Sequence, residues 1–154
     1  MRITLVCVGR LAAAPEGKLA DTYAERASAI GRTLGLGPIE IREIDPRRMG
    51  TTAQMRAILA SAKGAPLIAW DRTGAALSST AFAVFLRGLK DQGLPRLTMA
   101  IGGAEGLDAA TCAGALKTLS MGDLTWPHAL ARVMVAEQLY RAATILAGAP
   151  YHRE

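Results

Sequence analysis

Short apolar runs alternate along the chain with stretches that are apolar on one side only. Arg2-Ile3-Thr4-Leu5-Val6-Cys7-Val8 is apolar at nearly every position and reads as a first, buried strand. Across residues 16–32 the apolar positions recur at helical spacing, with Leu19, Tyr23 and Ala27 on one face. Gly35-Leu36-Gly37-Pro38 breaks the chain. Residues 39–44 then alternate apolar and charged, the period-two pattern of a half-exposed strand. Thr51 is the expected cap of a helix reaching about Lys63, with Met55, Ile58 and Leu59 as its apolar stripe.

Residues 66–70 predict a third strand, ending in the turn-rich Asp71-Arg72-Thr73-Gly74. Ser78 or Ser79 caps a helix through about Leu89, and a fourth strand lies within 94–101. Asp108 caps a further helix, and 116–121 predicts a short fifth strand. A last, amphipathic helix runs from about Pro127 to Leu146, where Gly148 and Pro150 stop it. Strands alternating with helices predict an α/β fold with a mostly parallel sheet flanked by helices. With 154 residues and no linker or repeat, a single domain over 1–154 is expected.

Composition narrows the class. Hydrophobic residues make up 51%, enough for an ordered core. Lys and Arg number 18 against 13 Asp and Glu, a surplus of +5 that suits a polyanionic partner such as nucleic acid and suits a plain basic surface equally. Cys7 sits inside the first apolar run as a small core residue, far in sequence from Cys112. With no CxxC and no His pair at helical spacing, no metal site is expected, and a reduced, cytoplasmic setting is. The first apolar run is too short for a signal-peptide core, and no run approaches the ~18 apolar residues of a membrane span.

In open α/β sheets, ligands bind beyond the carboxyl ends of the strands. Three loops hold such places here, after Trp70, Ile101 and Met121, and they are the expected walls of one pocket. The glycines of Ile101-Gly102-Gly103-Ala104-Glu105-Gly106 do not have the spacing of G-x-G-x-x-G and follow a late strand, which disfavours a dinucleotide site. No G-x-x-x-x-G-K-[ST] is present either. These glycines allow close backbone approach to a flat ligand, or simply a tight turn. In Leu124-Thr125-Trp126-Pro127-His128, Thr125 is the expected N-cap, and His128 lies in the first helical turn as a hydrogen-bonding or capping group. Asp123 suits a cationic ligand, a ribose hydroxyl or a second cap. Glu137 precedes Arg141 by four residues, the spacing of an ion pair on a solvated face, with Arg132 adding charge nearby. The tail packs Tyr151, His152, Arg153 and Glu154 together. Tyr151 is suited to stack on a base, Arg153 to bind phosphate and His152 to accept a proton.

Taken together, Gly102-Gly103-Ala104-Glu105-Gly106-Leu107, Leu124-Thr125-Trp126-Pro127-His128, the run from Arg132 to Ala142 and the terminal Pro150-Tyr151-His152-Arg153-Glu154 resemble the RlmH family. These are the bacterial 23S rRNA pseudouridine N3-methyltransferases of the SPOUT superfamily. Trp70-Asp71-Arg72-Thr73-Gly74 with Leu77-Ser78-Ser79 matches the same family, and the resemblance spans nearly the whole chain. It implies a SPOUT α/β fold with a C-terminal trefoil knot, a homodimer, and S-adenosyl-L-methionine as methyl donor with no metal. The implied partner is 23S rRNA in the assembled ribosome or large subunit. The implied cofactor wall is Trp70, Gly103, Asp123, Leu124, Thr125, Trp126, Pro127 and His128. His152, Tyr151 and Arg153 are the catalytic candidates. Ala75, Ala104, Trp126 and Ala129 depart from the residues usual in the family. Two rival readings stand beside this one: a non-catalytic RNA-binding or ribosome-associated protein, and a SPOUT methyltransferase acting on another RNA.

Overall fold

A computed structural model describes residues 1–11, 14–47 and 49–152. The elements are β1 (Arg2–Val8), α1 (Pro15–Leu34), β2 (Ile39–Ile44), α2 (Thr51–Ala62), β3 (Leu67–Ala76), α3 (Ser79–Asp91), β4 (Arg96–Ile101), α4 (Ala109–Gly114), β5 (Lys117–Ser120) and α5 (His128–Leu146). The five strands form one sheet in the order β2-β1-β4-β3-β5. Every pairing is parallel, with Ile3 beside Ile39 on one side and Leu97 on the other.

Both faces of the sheet are covered, which is why β1 reads as a continuous apolar run. Ile3, Leu5 and Cys7 point into a core shared with Ala24 of α1, Phe82 of α3 and Val135 of α5. Val6 and Val8 point the other way, onto Met55 and Ile58 of α2. Among the described residues no helix is long and apolar enough to cross a membrane.

Several local expectations shift. The buried stripe of α1 is Ala20, Ala24, Ala27 and Gly31, while Leu19 is exposed, because small residues let α1 lie close against α5. On α2, Leu59 is exposed, the buried positions are Met55, Ile58 and Ala62, and Gly50 rather than Thr51 precedes the helix. The last helix is less one-sided than expected. Its buried residues include neighbours such as Ala131 with Arg132, and Val135 with Ala136, because α5 packs against both α1 and α3. Thr125 does not cap it: the helix starts directly behind Pro127, whose backbone is extended and whose side chain makes no cap bond.

The turn expected at 71–74 forms inside β3 rather than ending it. The ladder to β5 reaches Trp70 opposite Leu119, skips the next four residues, and resumes with Ala75 opposite the same Leu119. The skipped residues bulge out because Asp71 closes its own turn. Its Oδ1 accepts the Thr73 backbone N–H at 3.0 Å and the Thr73 hydroxyl at 2.7 Å. The caps at Ser78 and Asp108 form as expected, accepting from Ala81 and Thr111.

Candidate functional site

The loops after β3, β4 and β5 close around a cavity of about 700 Å³ at the carboxyl edge of the sheet. Its lining includes Trp70, Asp71 and Arg72, residues 102–106, and residues 124–128. That volume lies within the ~300–1,000 Å³ typical of small-molecule and cofactor sites.

The glycine loop is a closed turn. The Gly106 N–H donates to the Gly103 carbonyl at 3.0 Å. A Cβ on Gly102 would lie 2.2 Å from the Gly106 carbonyl carbon, so no larger residue fits there without the turn opening. Gly106 holds a φ of +76°, which glycine adopts without strain, and a Cβ on it would stand 3.3 Å from Asp71 Oδ2. Burial pushes the Asp71 carboxyl up. Hydrogen bonds from Thr73, a weaker contact from the Leu107 amide and the charge of Arg72 outweigh it, and the group sits below its ordinary value.

Opposite the glycine loop, Leu124, Thr125, Trp126 and Pro127 are exposed along the wall, and His128 is half-buried at the start of α5. The His128 ring rests over Gly9, where a Cβ would lie 3.1 Å from Nε2. One turn later Arg132 is 2% exposed. Its Nη2 donates to the Gly9 carbonyl at 2.7 Å, and its other amino group pairs with Glu43. The Glu43 carboxylate also accepts the Leu11 N–H at 2.9 Å. Arg132 is therefore an internal strut and not part of a solvated face. Its signal in the sequence was only its spacing of four from His128. At the back of the cavity the Trp70 ring meets Phe82 edge-on at 5.6 Å, and its indole Nε1 is buried without a hydrogen-bond partner among the described residues.

The structure thus brings Trp70, Gly103, Leu124, Thr125, Trp126, Pro127 and His128 to one cavity. Asp123 is exposed in the same loop but does not line it. Asp71, which sequence reasoning treated only as part of a turn, does.

The tail lies elsewhere. Tyr151 donates its hydroxyl to Glu137 Oε1 at 3.1 Å, packs on Tyr140 with ring centroids 4.5 Å apart, and lies under the Arg141 guanidinium at 4.9 Å. Glu137 also takes two donors of Arg141, at 3.0 and 2.5 Å. Arg141 reaches His152 Nδ1 at 3.4 Å. Burial, the neighbouring Tyr23 hydroxyl and the Glu137 charge together push the Tyr151 phenol up to about 12. Glu137 lines a second, mainly apolar cavity of about 590 Å³ formed by α1, α3 and α5. The two cavities share Trp70, Leu119, Met121 and Gly122 as a common wall. Arg153 lies outside the described residues.

A family model described as "Predicted SPOUT methyltransferase" matches residues 1–152. A protein of Phenylobacterium zucineum named Ribosomal RNA large subunit methyltransferase H is 53% identical over 154 residues, which cover 100% of both chains. One of the same name from Caulobacter vibrioides is 49% identical over 100% of this chain and 99% of its own. Among solved structures, a probable methylase family protein from Haemophilus influenzae is 15% identical with a TM-score of 0.53, over 99% of this chain and 70% of that one. A probable methyltransferase from Bordetella pertussis is 16% identical with a TM-score of 0.53, over 92% and 96%. These two likenesses concern the fold alone. The match over 1–152, together with relatives near half identity along the full length, shows that this chain belongs to the SPOUT methyltransferase family.

Proposed function

We propose that this protein transfers a methyl group from S-adenosyl-L-methionine to N3 of a pseudouridine in 23S rRNA, within the assembled large subunit or ribosome. The observation that carries the reading is the three-loop cavity at the carboxyl edge of the sheet. Its residues suit the cofactor. The closed glycine turn lines the cavity, the Trp70 indole N–H is buried without a partner among the described residues, and the loop at 124–128 offers backbone donors and acceptors. Trp70, Gly103, Leu124, Thr125, Trp126, Pro127 and His128 would hold it, with Asp123 at the outer rim. The names of the full-length relatives point to the same substrate class.

When bound, S-adenosyl-L-methionine supplies a methyl group already activated by its sulfonium. The chain's own work is then to position the nucleotide and take up the N3 proton. Tyr151 is held as a neutral phenol, so it serves as a donor and not as the base. The candidate acceptor is His152. Its Nδ1 lies 3.4 Å from Arg141 Nη1. Arg72 and the tail Arg153 are the candidate RNA contacts.

The reading includes a trefoil knot near the C-terminus, a cytoplasmic setting and a homodimer. In support of the dimer, Leu19 and Leu77 are exposed on the lining of the apolar second cavity, a surface suited to cover by a second copy. Light scattering would give twice the monomer mass.

Mass spectrometry of rRNA from a deletion strain tests the reaction: one pseudouridine should lose its methyl group and regain it on complementation. An unchanged rRNA would overturn the proposal. Calorimetry with S-adenosyl-L-methionine separates it from the non-catalytic RNA-binding reading, which expects no heat.

A further inference from the structure

One side chain stands between the two walls of the cavity that come from β3 and β4. Asp71 divides its carboxylate between them. Oδ1 is used within its own loop, by the Thr73 N–H and hydroxyl. Oδ2 faces the other loop: a Cβ on Gly106 would stand 3.3 Å from it. Asp71 forms no salt bridge among the described residues.

The glycine loop needs such a tie. Its inner side is closed by Gly102 packed against Gly106 and by the bond between 103 and 106. Ala104, Glu105 and Gly106 at its tip are exposed, with no side-chain hydrogen bond among the described residues holding them from outside. A loop of glycines is costly to order, because each loses more backbone freedom than any other residue. If that ordering happened on ligand binding, it would be charged against affinity.

We infer that Asp71 is a positioning residue whose carboxylate holds the glycine loop in its ligand-receiving shape before the methyl donor arrives. This rests on the proposed use of the cavity for S-adenosyl-L-methionine. It assigns Asp71 an effect on cofactor affinity and none on the chemical step. It also explains why the turn at 71–74 interrupts a strand: the bulge aims the carboxylate sideways, at the neighbouring loop.

The test uses the full chain with Asp71→Ala and Asp71→Asn. Three quantities are measured: the calorimetric Kd for S-adenosyl-L-methionine, the single-turnover rate on large subunits or ribosomes at saturating cofactor, and amide hydrogen exchange across 103–107 in the free protein. Asp71→Ala should weaken cofactor binding at least tenfold, speed exchange in that segment at least tenfold, and leave the saturated rate within threefold. Asp71→Asn keeps an oxygen for Thr73 but has one acceptor oxygen fewer, so it should fall between the wild type and Asp71→Ala. It also carries the test if the alanine variant fails to fold. A Kd within twofold of wild type in Asp71→Ala, with exchange unchanged, overturns the inference. So does a loss confined to the saturated rate, which would make Asp71 catalytic. If the wild type itself binds no S-adenosyl-L-methionine, the cofactor reading is the part that fails. The exchange result then decides the clamp alone: faster exchange supports it and unchanged exchange overturns it.

Discussion

The guanidinium of Arg132 donates to the backbone carbonyl of Gly9 across 2.7 Å, joining the last helix to the loop after the first strand over 123 positions of sequence. The same buried group pairs with Glu43 on the edge strand, so one side chain ties β1, β2 and α5 together beside the cavity. Arg132→Met keeps most of the volume but removes the guanidinium donors to the Gly9 carbonyl and the Glu43 carboxylate, which retains only the Leu11 N–H. A loss of roughly 2–4 kcal/mol is expected, toward the low end because Glu43 is partly exposed, and urea unfolding would measure it.

The same pair sets an acid limit. Burial raises the Glu43 carboxyl, but the Leu11 amide and Arg132 outweigh it and leave the group below its ordinary value. The stabilisation is therefore present above the usual carboxyl pKa, and it is lost as pH falls through the lower folded value. In Glu43→Gln, stability measured between neutral pH and pH ~3 should fall less steeply than in the wild type.

Gly102→Ala places a methyl group 2.2 Å from the Gly106 carbonyl carbon. The turn must open, and the cavity wall opens with it. Calorimetry should show S-adenosyl-L-methionine affinity down by more than tenfold, a change of about 1.4 kcal/mol or more. Retained wild-type affinity would remove the glycine loop from the cofactor site.

Arg72 is exposed at the cavity and, among the described residues, forms no salt bridge and is the only arginine or lysine on the lining. As a phosphate contact it carries charge and little sequence information. Arg72→Gln should weaken ribosome or subunit binding and reduce the salt slope of that binding by about one, with cofactor affinity unchanged. An unaltered salt slope would remove Arg72 from the RNA surface.

Tyr151→Phe keeps the ring against Tyr140 and Arg141 and deletes only the donor to Glu137. The cost in stability should stay under about 1 kcal/mol at this partly exposed site. The raised phenol stabilises the fold below the ordinary tyrosine pKa and ceases to do so as pH climbs toward about 12. Ultraviolet titration should therefore lose one transition near pH 12 in the variant, while turnover between pH 7 and 10 keeps its shape. His152→Ala is the contrasting change: a single-turnover rate equal to wild type would end its role as base.

Much of this was legible from pattern. The α/β class, the five strands and the three loops converging beyond Trp70, Ile101 and Met121 follow from apolar period and breaker residues, which are local signals. Burial on the helices was harder. Arg132 looks solvated by type, and only the fold shows Gly9 and Glu43 waiting for it, because the partners come from opposite ends of the chain. The turn at 71–74 was legible as chemistry and misplaced as topology. Asx turns form in loops and in bulges alike, and only the neighbouring strand decides which. The cavity wall emerged from contiguous runs, whereas Asp123, next to the run at 124–128, is exposed and does not line the cavity. The tail candidates could not be located from sequence at all, since four residues after a helix end can fold back in any direction.

The chain holds two tryptophans, and both Trp70 and Trp126 line the three-loop cavity. Trp70 also backs onto the apolar cavity between the helices. Intrinsic emission from this protein is therefore a site signal and not an average over the fold. Occupancy of the cavity can be followed in the unlabelled, unmutated chain, and Trp126→Phe would leave a single reporter set in the partition between the two cavities.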